Sequence, residues 1–357
     1  MRQLKYSQAT LSLLVVGLLW SCSSETSSVG ENETAPVWEI EQSEDPNPAP
    51  IVERAPAPRQ LQPGDRFPLK KTVVEELVQD SLSGPKSQIK TRLEQLFTIS
   101  VTDRIGERTK LAVTFDRIQY TQQVGDEITT YDSLTPPADI PEELLPHHLL
   151  ANDGFSFWIG SDLQVVSADS FQEFLARRAQ SVTASQIQTA RFESTPVADQ
   201  ADLATAISQF IGMQPIAPTV HTGDQWQRIE SLDRPVLLSV NNRYTVQSVN
   251  AQSVEVAVLG SIAPFAVPVV GDEQSDVRVV VTGGEVVGSY TLLANSGIPQ
   301  QSHVEELIQM RVQMSNALEF NQIKRTTTNI DTAPAMDRSA IARLPLAGDG
   351  SPFGLKK

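Results

Sequence analysis

Four histidines, one cysteine and a surplus of carboxylates are the side chains from which this chain of 357 residues must draw any chemistry. His147 and His148 are adjacent, so they point in different directions and make a poor chelating pair. His303-Val304-Glu305-Glu306 begins like a zinc-protease helix, but position 307, where the second histidine belongs, is Leu307. His221 stands beside a Gly223-Asp224 turn signal, and each histidine reads as structural or solvated. Gly154-Phe155-Ser156-Phe157-Trp158 lacks the second glycine of a serine-nucleophile elbow. Gly283-Gly284 lies between strand-like runs, the wrong setting for a phosphate or dinucleotide loop. The carboxylate pairs Asp126-Glu127, Glu142-Glu143 and Asp272-Glu273 sit in polar, turn-like surroundings, and the last lacks the donor pattern of a calcium loop. The expectation is therefore a non-enzymatic protein with no metal and no cofactor; an enzyme would require a site assembled from distant residues.

Cys22 is the exception, because its neighbours give its thiol a job. Arg2 and Lys5 precede an apolar run from Leu11 to Trp20, and Ser21-Cys22 follows it directly. A positive segment, an apolar segment of about ten residues and a small residue form an export signal. The run is too short to span a bilayer, which takes about 20 apolar residues. Leu19-Trp20-Ser21-Cys22 resembles the lipobox of bacterial lipoproteins, although Trp20 is bulky for its position. That resemblance implies that Cys22 is diacylated and becomes the mature N-terminus, leaving residues 1–21 as a removed signal peptide. Two or three acyl chains at about 0.8 kcal/mol per buried methylene hold a soluble domain at a membrane. The alternative is an ordinary secretory signal with a free cysteine nearby. Ser23 stands where an aspartate would mark inner-membrane retention, so the outer membrane is favoured over the inner.

The formal charge is −15, with 28 basic against 43 acidic residues, and losing Arg2 and Lys5 makes the mature chain more acidic still. Nucleic acid is excluded as an expected partner, since the basic residues occur only in short pairs such as Lys70-Lys71, Arg177-Arg178 and Lys324-Arg325. With no cysteine after Cys22 the fold has no disulfides and must rely on its core.

Residues 22–62 read as a disordered tether rich in proline, serine and glutamate. From Gly64 the pattern changes to period two. Phe97, Ile99 and Val101 alternate with polar residues, the chain turns at Ile105-Gly106-Glu107, and Leu111, Val113 and Phe115 alternate again. Continuing through Ile118 and Tyr120 requires an extra residue near Asp116-Arg117, a bulge. Further hairpins are expected around Gly160-Ser161-Asp162, around Asn250-Ala251-Gln252, and around Gly283-Gly284 joining Val277–Val281 to Val286–Tyr290. Ser170 and Glu173 space a capping box for a helix running to about Ala179, and a second helix runs from near Asp199 to Gly212. The fold class is α+β and β-rich: curved antiparallel sheet of meandering hairpins, with a few helices packed on it. Gly64-Asp65-Arg66-Phe67 and Gly223-Asp224-Gln225-Trp226 echo one another, which suggests a two-part pseudo-repeat, residues 63–220 and 221–330, followed by a flexible tail at 331–357.

The body also resembles a group of uncharacterised lipoproteins of planctomycete-type bacteria, a domain of unknown function, over roughly residues 60–325. The resemblance rests on the Gly64-Asp65 opening, the Thr98 to Ile118 hairpin with Asp116-Arg117-Ile118-Gln119, Tyr131-Asp132-Ser133 and Thr282-Gly283-Gly284-Glu285-Val286-Val287. It brings no catalytic residue. Three readings remain: an envelope lipoprotein that binds a partner or supports an assembly, a carrier of lipid or another apolar ligand, and an enzyme whose site is assembled from distant residues. In the carrier, Phe97, Val113, Phe115, Val256 and Val258 would line a cavity in a half-barrel.

Overall fold

A computed structural model describes residues 60–81, 87–168, 170–180, 200–214, 216, 219–232, 238–264, 277–314 and 319–334. Cys22, residues 1–21 and nearly all of the tether and tail lie outside them, as does Asp272-Glu273.

Twelve strands form one curved, open antiparallel sheet. They are β1 (Arg66–Ser81), β2 (Ser87–Ile105), β3 (Arg108–Val124), β4 (Glu127–Asp132), β5 (Gly154–Ile159), β6 (Val165–Ser167), β7 (Gln225–Leu232), β8 (Leu238–Val249), β9 (Ser253–Pro264), β10 (Val277–Leu293), β11 (Pro299–Met314) and β12 (Glu319–Thr332). The spatial order is β6-β5-β3-β2-β1-β12-β11-β10-β9-β8-β7, with β4 paired to the far end of β3. The first and last strands therefore lie side by side at the centre, zipped from Leu69–Thr332 to Ser81–Phe320. Among the described residues three α-helices follow the expected α+β plan: α1 (Leu145–Leu150), α2 (Phe171–Gln180) and α3 (Gln200–Ile211).

Strand alternation gives the sheet an inner, apolar face. Phe97 and Phe115 are paired across β2 and β3, and both are almost fully buried. Phe155 from β5, Phe171 and Phe174 from α2 and Phe210 from α3 close over them, with ring centroids 4.8–6.5 Å apart in stacked, tilted and edge-on pairs. Six phenylalanines thus pin two helices to one end of the sheet, where each aromatic contact adds about 0.5–1.5 kcal/mol beyond its buried area.

The expected bulge is present. Leu96 pairs with Arg117 and Phe97 with Phe115, so Asp116 is the extra residue. Its buried carboxylate accepts a 2.7 Å hydrogen bond from the Thr98 hydroxyl. The hairpins turning at Gly106-Glu107, between β5 and β6, and at Asn250-Ala251-Gln252 also form as expected. The one at Gly283-Gly284 does not. Both glycines lie within the single strand β10, where the register shifts between Val281 and Gly283. Glycine supplies a bulge there instead of a turn. Gly260, Gly284 and Gly288 occupy inward positions by their pairing with Asn242, Ile262 and Val258. A methyl at Gly288 would sit 2.3 Å from the His303 carbonyl oxygen, and one at Gly284 2.3 Å from that of Leu307. At these positions the strands approach more closely than a side chain would allow.

The echo between Gly64-Asp65 and Gly223-Asp224 extends to the hydrogen bonds. The aspartate carboxylates accept the Gln62 and His221 N–H at 2.8 and 2.7 Å, and the glycines have φ of 97° and 95°. Gly64 N–H donates to Val101 O and Gly223 N–H to Val246 O, and a bulge follows each of those valines.

Thr98→Val leaves the buried Asp116 carboxylate without its hydroxyl donor and is expected to cost about 1–3 kcal/mol of unfolding free energy, read by chemical denaturation.

Candidate functional site: a charged band on the inner face

Along β1 the inner positions run Leu69, Lys71, Val73, Glu75 and Leu77, so two charges interrupt an apolar alternation. Register carries the interruption into the neighbours. Glu75 pairs with Thr326 of β12 and Thr91 of β2, Leu77 with Lys324, and Thr326 with Glu306 of β11. Partners across an antiparallel ladder share a face. Lys71, Glu75, Glu306, Lys324, Thr326 and Thr328 are all half-buried, whereas the apolar inner residues on either side are buried. The middle of the inner face is therefore a narrow polar band between two apolar ends.

Lys324 Nζ lies 2.8 Å from Glu75 Oε1, and the two side chains are only 11% and 12% exposed, so this is a desolvated pair and not a surface one. Lys71 Nζ donates to the Phe210 carbonyl at 3.2 Å, in the last turn of α3. A cation there satisfies an orphan carbonyl at the negative end of the helix, and Gly212, at φ 70°, supplies the left-handed residue that ends it. Burial pushes Lys71 down from 10.5 to about 8, against a weaker upward pull from Glu306. Beside Lys71 in the register, Gln95 buries an amide nitrogen with no acceptor among the described residues.

Beyond α3 the chain crosses one end of the inner face. Gly212 sits against Ile330, Gln214 N–H donates to Gly297 O at 3.1 Å, and Met213 and Ile216 are buried. The other closure is α1, a short helix that the sequence did not announce. His147 stacks on Tyr120 at 4.4 Å between ring centroids, and His148 Nδ1 is 2.9 Å from the Tyr131 hydroxyl. Desolvation pushes both tyrosines up to about 12. Arg117 and Asp132 hold the same corner by a charged hydrogen bond that raises the arginine and lowers the aspartate.

These contacts give the histidine pair a packing role. His303 lies on strand β11, exposed, beside Asn329 and Glu305, which removes the zinc-helix reading. His221 is exposed beside Asp224. Among the described residues no three His, Cys, Asp or Glu side chains are grouped to hold a metal ion.

Of the expected cavity residues, Phe97, Val113 and Phe115 stand together on β2 and β3, and Phe97 and Phe115 belong to the phenylalanine cluster under α2 and α3. Val256 and Val258 stand on β9, on the far side of the charged band, paired with Tyr290 and Gly288. All five are buried. The charged band was hidden in the sequence inside two short basic pairs, Lys70-Lys71 and Lys324-Arg325. The signal that exposes it is the two-residue phase of Leu69, Lys71, Val73, Glu75 and Leu77.

One curved, open antiparallel sheet, with helices packed at one end and a charged stripe along its middle, is the class of fold that these residues define. A family of unknown function, DUF6263, matches over residues 106–299, more than half of the chain, and the chain belongs to that family. Among solved structures, one of lipid–protein interactions in lipovitellin is similar at 13% identity and a TM-score of 0.38, covering 78% of this chain and 26% of that one. The chain thus spans about a quarter of the lipovitellin chain. DynF, from the dynemicin biosynthesis pathway of Micromonospora chersina, is similar at 7% identity and a TM-score of 0.19, covering 85% of this chain and 95% of that one. No curated protein matches.

Breaking the buried pair and replacing it have different consequences. Lys324→Met alone strands Glu75 and is expected to cost about 3–5 kcal/mol, while Lys324→Met with Glu75→Gln recovers most of that in denaturant unfolding. Between pH 8 and 10 the unfolded chain keeps a Lys71 proton that the folded chain has lost, so stability rises with pH by about 2 kcal/mol. The two tyrosines oppose this only above pH 10, and Lys71→Met abolishes the rise.

Proposed function

We propose that the protein is a lipid-anchored envelope protein without catalytic activity, whose half-buried band over β1, β12 and β11 binds a ligand or partner segment with a polar, charge-paired contact. The observation that carries this reading is the desolvated Lys324–Glu75 pair in a polar band flanked by apolar parts of the inner face. Replacing a buried ion pair by apolar side chains of similar volume is often neutral or stabilising, so stability alone does not account for charges at those positions. Departures of this kind from the core pattern are where function is expected. Leu19-Trp20-Ser21-Cys22 supports attachment through acylated Cys22, and Ser23 the outer membrane.

A lipid or other apolar ligand is the second reading. It is favoured by the apolar wall in which Val256 and Val258 join Tyr244, Val286 and Ile308 next to the band. Phe97 and Phe115 give it less, being committed to the aromatic cluster.

Labelling cells with a palmitate analogue is expected to mark the wild type and not Cys22→Ala; equal marking of both overturns the anchor. Mass spectrometry of the detergent-extracted protein is expected to find a co-purifying molecule that is lost from Glu75→Gln/Lys324→Met. Its retention in that variant overturns the band as the site, and a lipid bound near one to one selects the carrier.

A further inference from the structure

The two ends of the strand order are unlike. β6 is three residues long, and a short edge strand offers little to pair with. β7 runs eight residues, pairs with β8 in unbroken register, and among the described residues has no neighbour on its other side. It contains neither proline nor bulge, and Ile229 at its centre is 67% exposed. An edge of that kind is a template for another strand.

The sequence of β7, Gln225-Trp226-Gln227-Arg228-Ile229-Glu230-Ser231-Leu232, specifies which strand. In an antiparallel pairing about a twofold axis at Ile229, position 228 stands opposite 230, 227 opposite 231 and 226 opposite 232. Arginine then meets glutamate, glutamine meets serine, tryptophan meets leucine, and Ile229 meets its own copy. Every pair keeps inner positions with inner and outer with outer, as a shared face requires. Centring the axis on 228 or 230 sets arginine against arginine or glutamate against glutamate. Centring it on 227 sets Glu230 against Asp224, just before the strand. Directly opposed like charges destabilise a ladder, and opposed unlike charges support it.

We propose that β7 is a self-association edge: two copies of this chain join antiparallel through β7, centred on Ile229, so that the two sheets continue as one. The interface is isologous and closed, which limits the assembly to a dimer.

The test uses the full chain carrying Cys22→Ser, so that anchoring plays no part. In this background Ile229→Cys is expected to form a disulfide-linked dimer on mild oxidation, since paired Cβ atoms on the axis are about 4.5–5.5 Å apart. Gln227→Cys is expected not to, because its own copy lies four residues away along the strand, about 14 Å. Sedimentation equilibrium is expected to show a dimer that Arg228→Glu or Glu230→Arg weakens at least tenfold and that the two substitutions together restore. A monomer at all concentrations, equal cross-linking at 227 and 229, or a double variant no better than the singles overturns the proposal.

Discussion

Among the described residues one sheet has an inner face that no second sheet covers, and the rest of their arrangement serves to bury it. Two solutions operate side by side. At the β3–β5–β6 end, α2 and α3 lay phenylalanines over Phe97, Phe115 and Phe155. At the β9–β11 side the inward glycines 260, 284 and 288 let the strands lie close, since a side chain at any of them would strike backbone or a neighbouring side chain.

The charged band lies where these two regimes meet. Lys71 joins them physically, since its stem rises from the central strand and its ammonium ends α3 at Phe210. One residue thus belongs to the sheet, to the helix cover and to the polar stripe. Its desolvated charge links helix docking to the electrostatics of the inner face, through Glu306 on β11.

The sequence made hairpins legible wherever a turn and a two-residue apolar rhythm coincided, as in β2–β3 and β8–β9. It even located the Asp116 bulge, because an inserted residue visibly shifts the phase of Ile118 and Tyr120. It misplaced Gly283-Gly284, since two glycines between valine-rich runs look the same whether they turn the chain or bend it; what decides is the partner strand, β11, which pairs on both sides of the bulge. β11 and β12 carried almost no signal. Glu306, Lys324, Thr326 and Thr328 point inward, so polar residues occupy both faces and the alternation vanishes. The same residues make up the candidate site, which is why the site and the unreadable strands coincide.

The seam between β1 and β12 joins segments roughly 250 positions apart in the chain. Such a contact carries a high loop-closure cost and forms late. As the polypeptide is made, β1 appears first and waits for its central neighbour until β12 has been added. Until then β1 and β11 are both exposed borders of an unfinished sheet, open to mispairing. Completion of this molecule is thereby timed by the arrival of its C-terminal strand, and a chain cut short before Glu319 would leave two incomplete leaves in place of one.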